Sequence, residues 1–367
     1  GWIIVTAGNP PEYNQSVREF DIVTWDRLKR IDVEPDYDAW KEYAYQQEVH
    51  PAILTYLDIK KTDFYKVEST IDGKTFVTAR GWDDLSQMLR LYEQHEMKVD
   101  EKLIGQYLQN PKIAKEFAAY YDLFQKYRGE YQVEQILDGT ESEEIRSRAK
   151  NARFDERLSL IGLLLDRIGS EVKDVLGKEQ VVAELMATLK EYQRRLSTGE
   201  ERLNRSETGA DSAVDPAAVL PMTLLGVMAE EKIRQLEAGK KSGSSTRDEQ
   251  SCRKKVIASM QRMMTLIQEE RDANQAFAIV KADFAKMAAD LKASATEAGR
   301  KLSNLFLFCE KVYADGQEML VLVTELTSNA YCAKYISRYG CEEYFKHNKE
   351  LLFYERQQEI DAALEEL

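Results

Sequence analysis

The chain opens Gly1-Trp2-Ile3-Ile4-Val5-Thr6-Ala7-Gly8-Asn9-Pro10-Pro11 and soon reaches Ile22-Val23-Thr24-Trp25-Asp26-Arg27-Leu28-Lys29-Arg30. Trp2 to Val5 is an unbroken apolar run stopped by Asn9 and two prolines. It reads as a buried strand, Ile3 to Ala7, that delivers an amide side chain at its end. A second strand is expected around Lys29 to Val33, after a short helix, and Glu34-Pro35-Asp36 ends it. Apolar strands of this kind belong to a parallel sheet covered on both faces, so without neighbours they expose an apolar edge. A chain that opens on Gly inside a strand is expected to be the downstream part of a longer protein.

At 367 residues and 43% hydrophobic composition the chain can bury a sizeable core, and its length predicts two or three domains. Its 64 acidic and 51 basic residues give a net charge of -13, which disfavours general affinity for nucleic-acid phosphate or anionic lipid. Cys252, Cys309, Cys332 and Cys341 show no CxxC spacing and are joined only by His50, His95 and His347, so no zinc framework is present. Reduced thiols and a cytoplasmic location are expected. No apolar run approaches the roughly 18 residues of a membrane helix.

Five of the seven prolines fall before residue 112 and none after Pro221, so the chain turns from punctuated to long and helical. Asp36 or Asp38 is placed to cap a helix over Ala39 to Glu48, which His50-Pro51 ends. Alternating segments from Phe64 to Thr78 flank Asp72-Gly73, a hairpin signal because Gly tolerates positive φ. Arg80 then stands at the entrance of a helix beginning near Trp82, and aromatic-rich helices continue to about Ile136.

Beyond about residue 145, Phe154, Leu158, Ile161, Leu165, Ile168, Val172 and Val175 alternate spacings of four and three, a coiled-coil-like seam. Gly162, Gly169 and Gly177 weaken it, so one helix or two satisfy the pattern. Residues 205–217 and 238–248 read as flexible connectors around a short helix, Met222 to Leu236. A second seam runs from Val256 to Leu326 and, if unbroken, spans on the order of 100 Å, with a break expected at Asp315-Gly316. A turn at Tyr339-Gly340 precedes a last amphipathic helix.

Val5-Thr6-Ala7-Gly8-Asn9-Pro10-Pro11, the Asp26-Arg27-Leu28 that follows, and Thr78-Ala79-Arg80-Gly81-Trp82 together resemble the second half of an AAA+ ATPase module of the MoxR-like group. The resemblance covers roughly residues 1–140. It implies that Asn9 is sensor 1, an amide that donates to and accepts from the attacking water and phosphate oxygens. Arg27 is then the arginine finger acting on a neighbouring subunit's nucleotide, a task suited to a cation that keeps its proton. Leu28 stands where the family has an aromatic residue, and Arg30 is the alternative finger. Arg80 is implied as sensor 2, which reaches the γ-phosphate from a lid helix.

Other motifs fail on spacing. Gly73-Lys74-Thr75 carries the last letters of a phosphate-binding loop, but Glu68 stands five residues before Gly73 and a strand follows instead of a helix. No acidic magnesium-binding strand precedes Asn9, so ATP and Mg belong to the intact parent and this chain alone is expected to bind neither. Asp138-Gly139-Thr140-Glu141-Ser142 mimics the metal-site spacing of von Willebrand-type domains but reads as a solvated loop.

The expected fold is an α/β fragment, the carboxyl half of an AAA+ module with its helical lid, followed by a mostly α, partly coiled-coil region. The expected divisions are 1–50 for the end of the core, 51–140 for the lid, 141–204 for a long helical segment, 205–248 for connectors and 249–367 for a helical C-terminal region. The resemblance implies ATP hydrolysis in a homo-oligomeric, hexameric ring that remodels or assembles a partner, with a von Willebrand-type A domain as a partner class. The competing expectation is a non-catalytic helical scaffold carrying a degenerate ATPase remnant.

Overall fold

A computed structural model of the chain describes residues 3, 5–8, 22–70, 73–207, 220–314 and 316–349, apart from the side chains of 24, 25 and 199–207. It divides into two units, Gly1–Tyr37 and Asp38–Leu367.

The described part of the first unit holds one helix, α1 (Ile22–Arg27), between stretches of irregular backbone. Here the sequence expectation is corrected. Residues 3, 5–8 and 28–36 form no strand, and Ile3, Val5, Ile31 and Val33 are 89%, 87%, 83% and 89% exposed. The physical reason is the missing neighbour: a parallel strand holds its place only through a ladder and two covering layers, and no described strand lies beside these. The short helix expected between the two segments is present as α1.

The second unit is almost wholly helical. It starts with α2 (Tyr37–Gln46), which begins in the first unit, and α3 (Pro51–Ile59). His50 caps α3 by accepting the Ala52 N–H on Nδ1 at 3.2 Å, and Pro51 occupies the first turn, where a missing N–H costs nothing. The expected hairpin follows as β1 (Lys66–Thr70) and β2 (Gly73–Val77), antiparallel with Lys66 opposite Val77 and Thr70 opposite Gly73. Gly73 has φ 130°, a conformation that favours glycine.

Next come α4 (Ala79–Gln94), α5 (Glu101–Tyr107), α6 (Pro111–Tyr131), α7 (Val133–Asp138) and α8 (Glu143–Asn151). Asp100, Asn110 and Ser142 cap α5, α6 and α8 through their side chains. The core of this part is aromatic: Trp82, Phe117 and Phe124 are fully buried, with Tyr56 edge-on to Phe117 at 5.2 Å.

The long seam forms one helix, α9 (Phe154–Glu207), 54 residues and about 80 Å at 1.5 Å per residue. Its glycines leave it unbroken. A Cβ at Gly162 would stand 2.3 Å from Thr55 Oγ1, so glycine there lets α3 press against α9.

The C-terminal helices are α10 (Pro221–Ser242), α11 (Arg247–Leu266), α12 (Ala273–Tyr313), α13 (Gln317–Ser328) and α14 (Ala330–Tyr339), followed by helical backbone at 342–349. The second expected connector shrinks to 243–246, because α10 runs further than its apolar run and the Thr246–Glu249 capping box starts α11 early. The first overlaps 208–219, outside the described residues. The second seam is broken twice, at 267–272, where Asp272 caps α12, and between Ala314, which ends α12, and Gly316, which precedes α13; of the break expected at Asp315-Gly316, Asp315 lies outside the described residues.

Among the described residues the long helices build two hydrophobic cores besides the aromatic one. The proximal one joins α7 and α8, the first half of α9 as far as Leu176, the second half of α12 from Ala295, α13 and α14. The distal one joins α9 from Val181, α10, α11 and the start of α12 as far as Val280.

Glu93 is the polar knot of the aromatic part. Because His50 Nδ1 accepts from Ala52, its Nε2–H donates to Glu93 at 3.0 Å; Tyr121 donates at 3.0 Å, Arg128 at 3.2 Å, and Gln125 also donates. Burial opposes the Glu93 charge, but these donors prevail and hold its carboxyl at about 2, below its ordinary 4.5. The stability it contributes is therefore complete above pH 4.5 and is lost as pH falls toward about 2. We expect Glu93→Gln to lower stability at pH 7 by about 1–3 kcal/mol, and the gap from wild type to close on acidification, as read by denaturant melts across that range.

Candidate functional site

The hairpin leads directly into α4, and this junction positions Arg80. Thr78 is extended and its hydroxyl accepts the Gly81 N–H at 3.3 Å, so the helix begins at Ala79. That is three residues before the expected start near Trp82, and the first turn holds no acidic residue. A Cβ at Gly81 would meet the Tyr107 carbonyl oxygen at 2.7 Å, so only glycine seats this turn against the end of α5. On the other side Trp82 is fully buried and its indole N–H donates to the Phe64 carbonyl at 3.1 Å. Arg80 thus stands between two anchored residues, itself exposed, with no side-chain hydrogen bond or ion pair to any described residue. A cation beside the unpaired N–H groups of a first helical turn suits a phosphate.

The other expected site residues belong to the first unit. Asn9 lies outside the described residues. Arg27 is the last residue of α1 and is exposed. Arg30 is also exposed and bonds locally to Asp32 at 2.7 Å. Gly73-Lys74-Thr75 lies on β2, where its backbone faces a partner strand and forms no phosphate cradle.

A cleft of about 750 Å³ lies within the second unit, and no local sequence pattern marks it. Its floor is the α9 stripe Phe154, Leu158, Ile161 and Leu165, and its walls come from α2, α3 and α13. Across it, buried Lys41 on α2 reaches Asp58 on α3 at 2.6 Å and Glu325 on α13, and Tyr45 donates to the same Glu325. Burial works against the Lys41 charge, yet Glu325 and Asp58 together hold its pKa above the ordinary lysine value. Burial pushes Glu325 the other way, above the usual carboxylate range, because one ammonium serves two carboxyl groups. These residues lie 17 and 284 positions apart along the chain, a separation no local pattern reveals.

Further along, Lys173 pairs with Glu48 at 3.0 Å and lies 5.1 Å from the Tyr331 ring centre, while Tyr331 donates to Asp248 at 3.0 Å. The charged groups of the cleft therefore bind helices to one another. Among the described residues no group of three or more His, Cys, Asp or Glu is arranged to hold a metal ion. All four cysteines are free and buried, and burial raises the Cys309 and Cys332 thiols to about 12, which suppresses the reactive thiolate. No described helix is long and apolar enough to cross a membrane.

Comparison with protein-family models, with curated proteins and with solved structures finds no match. Lys41→Met removes the ammonium that Asp58 and Glu325 share, and we expect a loss of about 3–5 kcal/mol near neutral pH. The deficit should shrink as pH falls through the carboxylate range, because protonation removes the buried charge; urea melts of both proteins at several pH values check this.

Proposed function

We propose that this chain is the carboxyl part of a MoxR-like AAA+ ATPase, with Arg80 as the residue that senses nucleotide at the head of α4. The observation that carries this reading is the junction of hairpin, Thr78 cap and exposed Arg80, which has the order and context of a sensor 2 arginine on a lid helix. Arg80 is also the residue whose placement fits a phosphate group: it is a permanent cation, without a side-chain partner among the described residues, on the first turn of a 16-residue helix. ATP and Mg are supplied with their phosphate-binding residues by the parent protein. Within this chain the part played is charge stabilisation and positioning.

In this reading Arg27 is the arginine finger. Its exposure at the end of α1 leaves it open to a neighbouring subunit, whereas Arg30 is already occupied by Asp32. Asn9 is sensor 1, and the ring is a homo-oligomer that remodels or assembles a partner protein, with a von Willebrand-type A domain as the partner class. A second reading, a helical interaction scaffold without catalysis, is favoured by the cleft, where Lys41 joins α2 to α3 and α13.

The test uses the full-length parent. A Gly-x4-Gly-Lys-Ser/Thr loop upstream is expected. Arg27→Ala should then lower ring-dependent ATP turnover by about 10³-fold or more while leaving nucleotide binding largely intact. Arg27→Lys should not restore it, because an ammonium lacks the planar fork. Unchanged turnover in Arg27→Ala removes the finger assignment, and a complete gene lacking the upstream loop removes the ATPase reading.

A further inference from the structure

α9 and α12 each run through both hydrophobic cores, and the two cores do not meet along α12. Its last residue in the distal core is Val280 and its first in the proximal core is Ala295. None of the fourteen residues between them, 281–294, is buried. Half-buried Phe284 and Met287 lean on the distal core, and half-buried Leu291 leans on the proximal one. On α9 the proximal core ends at Leu176 and the distal core begins at Val181. Gly177 stands in that gap, and a Cβ added to it would have nothing within 4 Å.

What spans the gap is polar and partly solvated. Lys178 on α9 reaches Asp290 at 3.0 Å and donates to Ser294 at 2.8 Å, both on α12. Arg338 on α14 pairs with Glu179, and Tyr331 at the start of α14 donates to Asp248 at the start of α11. Exposed pairs of this kind contribute little each and exchange readily with water. Apart from the partial packing of Phe284, Met287 and Leu291, the helical hydrogen bonds of 281–294 therefore have less of the tertiary packing that gives most helices their stability than the segments inside the two cores.

We infer that the distal bundle is a separately cored head carried on a neck formed by α9 around Gly177 and α12 over 281–294, and that the head changes orientation by bending at this neck. Glycine lowers the helix-forming tendency of α9 in the gap, and no side chain wedges there to hold one angle. The ion pairs of Lys178 and the Tyr331–Asp248 bond set the resting orientation. A long helix is thus rigid at both ends and compliant in its middle. This inference does not depend on nucleotide chemistry.

Native-state hydrogen exchange on the full chain tests it directly. A two-ended rod frays from its termini, so protection in α12 would peak at its centre. Here protection is expected to pass through a minimum over 281–294, with exchange on the order of tenfold faster than in the segments that enter the two cores. Lys178→Ala should deepen the minimum, and Gly177→Ala should make it shallower, since its added methyl strengthens the helix without a clash. Uniform or centre-peaked protection across α12 overturns the inference, and so does a minimum that neither substitution moves.

Discussion

Where α3 crosses α9, a methyl group on residue 162 would stand 2.3 Å from Thr55 Oγ1, so the helices approach this closely only because that residue is Gly. The aromatic part of the second unit is built on α3, and both hydrophobic cores are built on α9. The crossing therefore joins the hairpin-bearing part to the long helices. Polar contacts strengthen the join: Tyr120 shares a hydrogen bond with Ser159 at 2.9 Å and Tyr131 donates to Glu156 at 2.6 Å, both on α9 before Gly162, and Lys41 ties α2 and α3 to α13. Once α3 is seated, the spacing of these partners follows.

Buried charge sharpens this arrangement more than it strengthens it. A carboxylate and an ammonium removed from water regain little more than their lost hydration, but a misplaced helix would leave one of them alone, and that costs several kcal/mol. Lys41 with Asp58 and Glu325, Lys301 with Glu171 at 2.6 Å, and Arg157 with Glu318 at 2.9 Å each join different helices. They act against alternative registers along the uniform surface of α9, whose apolar seam by itself accepts a shift of one heptad.

Much of this was legible in local chemistry. Asp72-Gly73 marked the hairpin, Ser142, Asp272 and Asn110 are helix caps of ordinary type, and the spacing from Phe154 to Val175 marked one face of α9. The failures also have local reasons. The apolar phase of the second seam continues through Ile267, so the break before Asp272 is invisible to periodicity. By propensity alone Gly162 is a weak point, because propensity sees only the missing methyl group, whereas Thr55, 107 positions earlier in the chain, needs the space. The strands at Ile3 to Ala7 and Lys29 to Val33 had the right composition and no described neighbour. The junction around Arg80 is legible in sequence because its hairpin, cap and helix are contiguous, while Lys41, Asp58 and Glu325 meet only in the folded chain.

The claim that the α3–α9 crossing governs the fold is tested most directly by a double-mutant cycle between Gly162 and Thr55. In an unhindered helix Gly→Ala stabilises by about 0.5–1 kcal/mol. The account predicts instead that Gly162→Ala destabilises by about 1–3 kcal/mol, and that most of this loss disappears in a Thr55→Ala background. A stabilising Gly162→Ala, or one whose effect is the same with and without the Thr55 side chain, would contradict it.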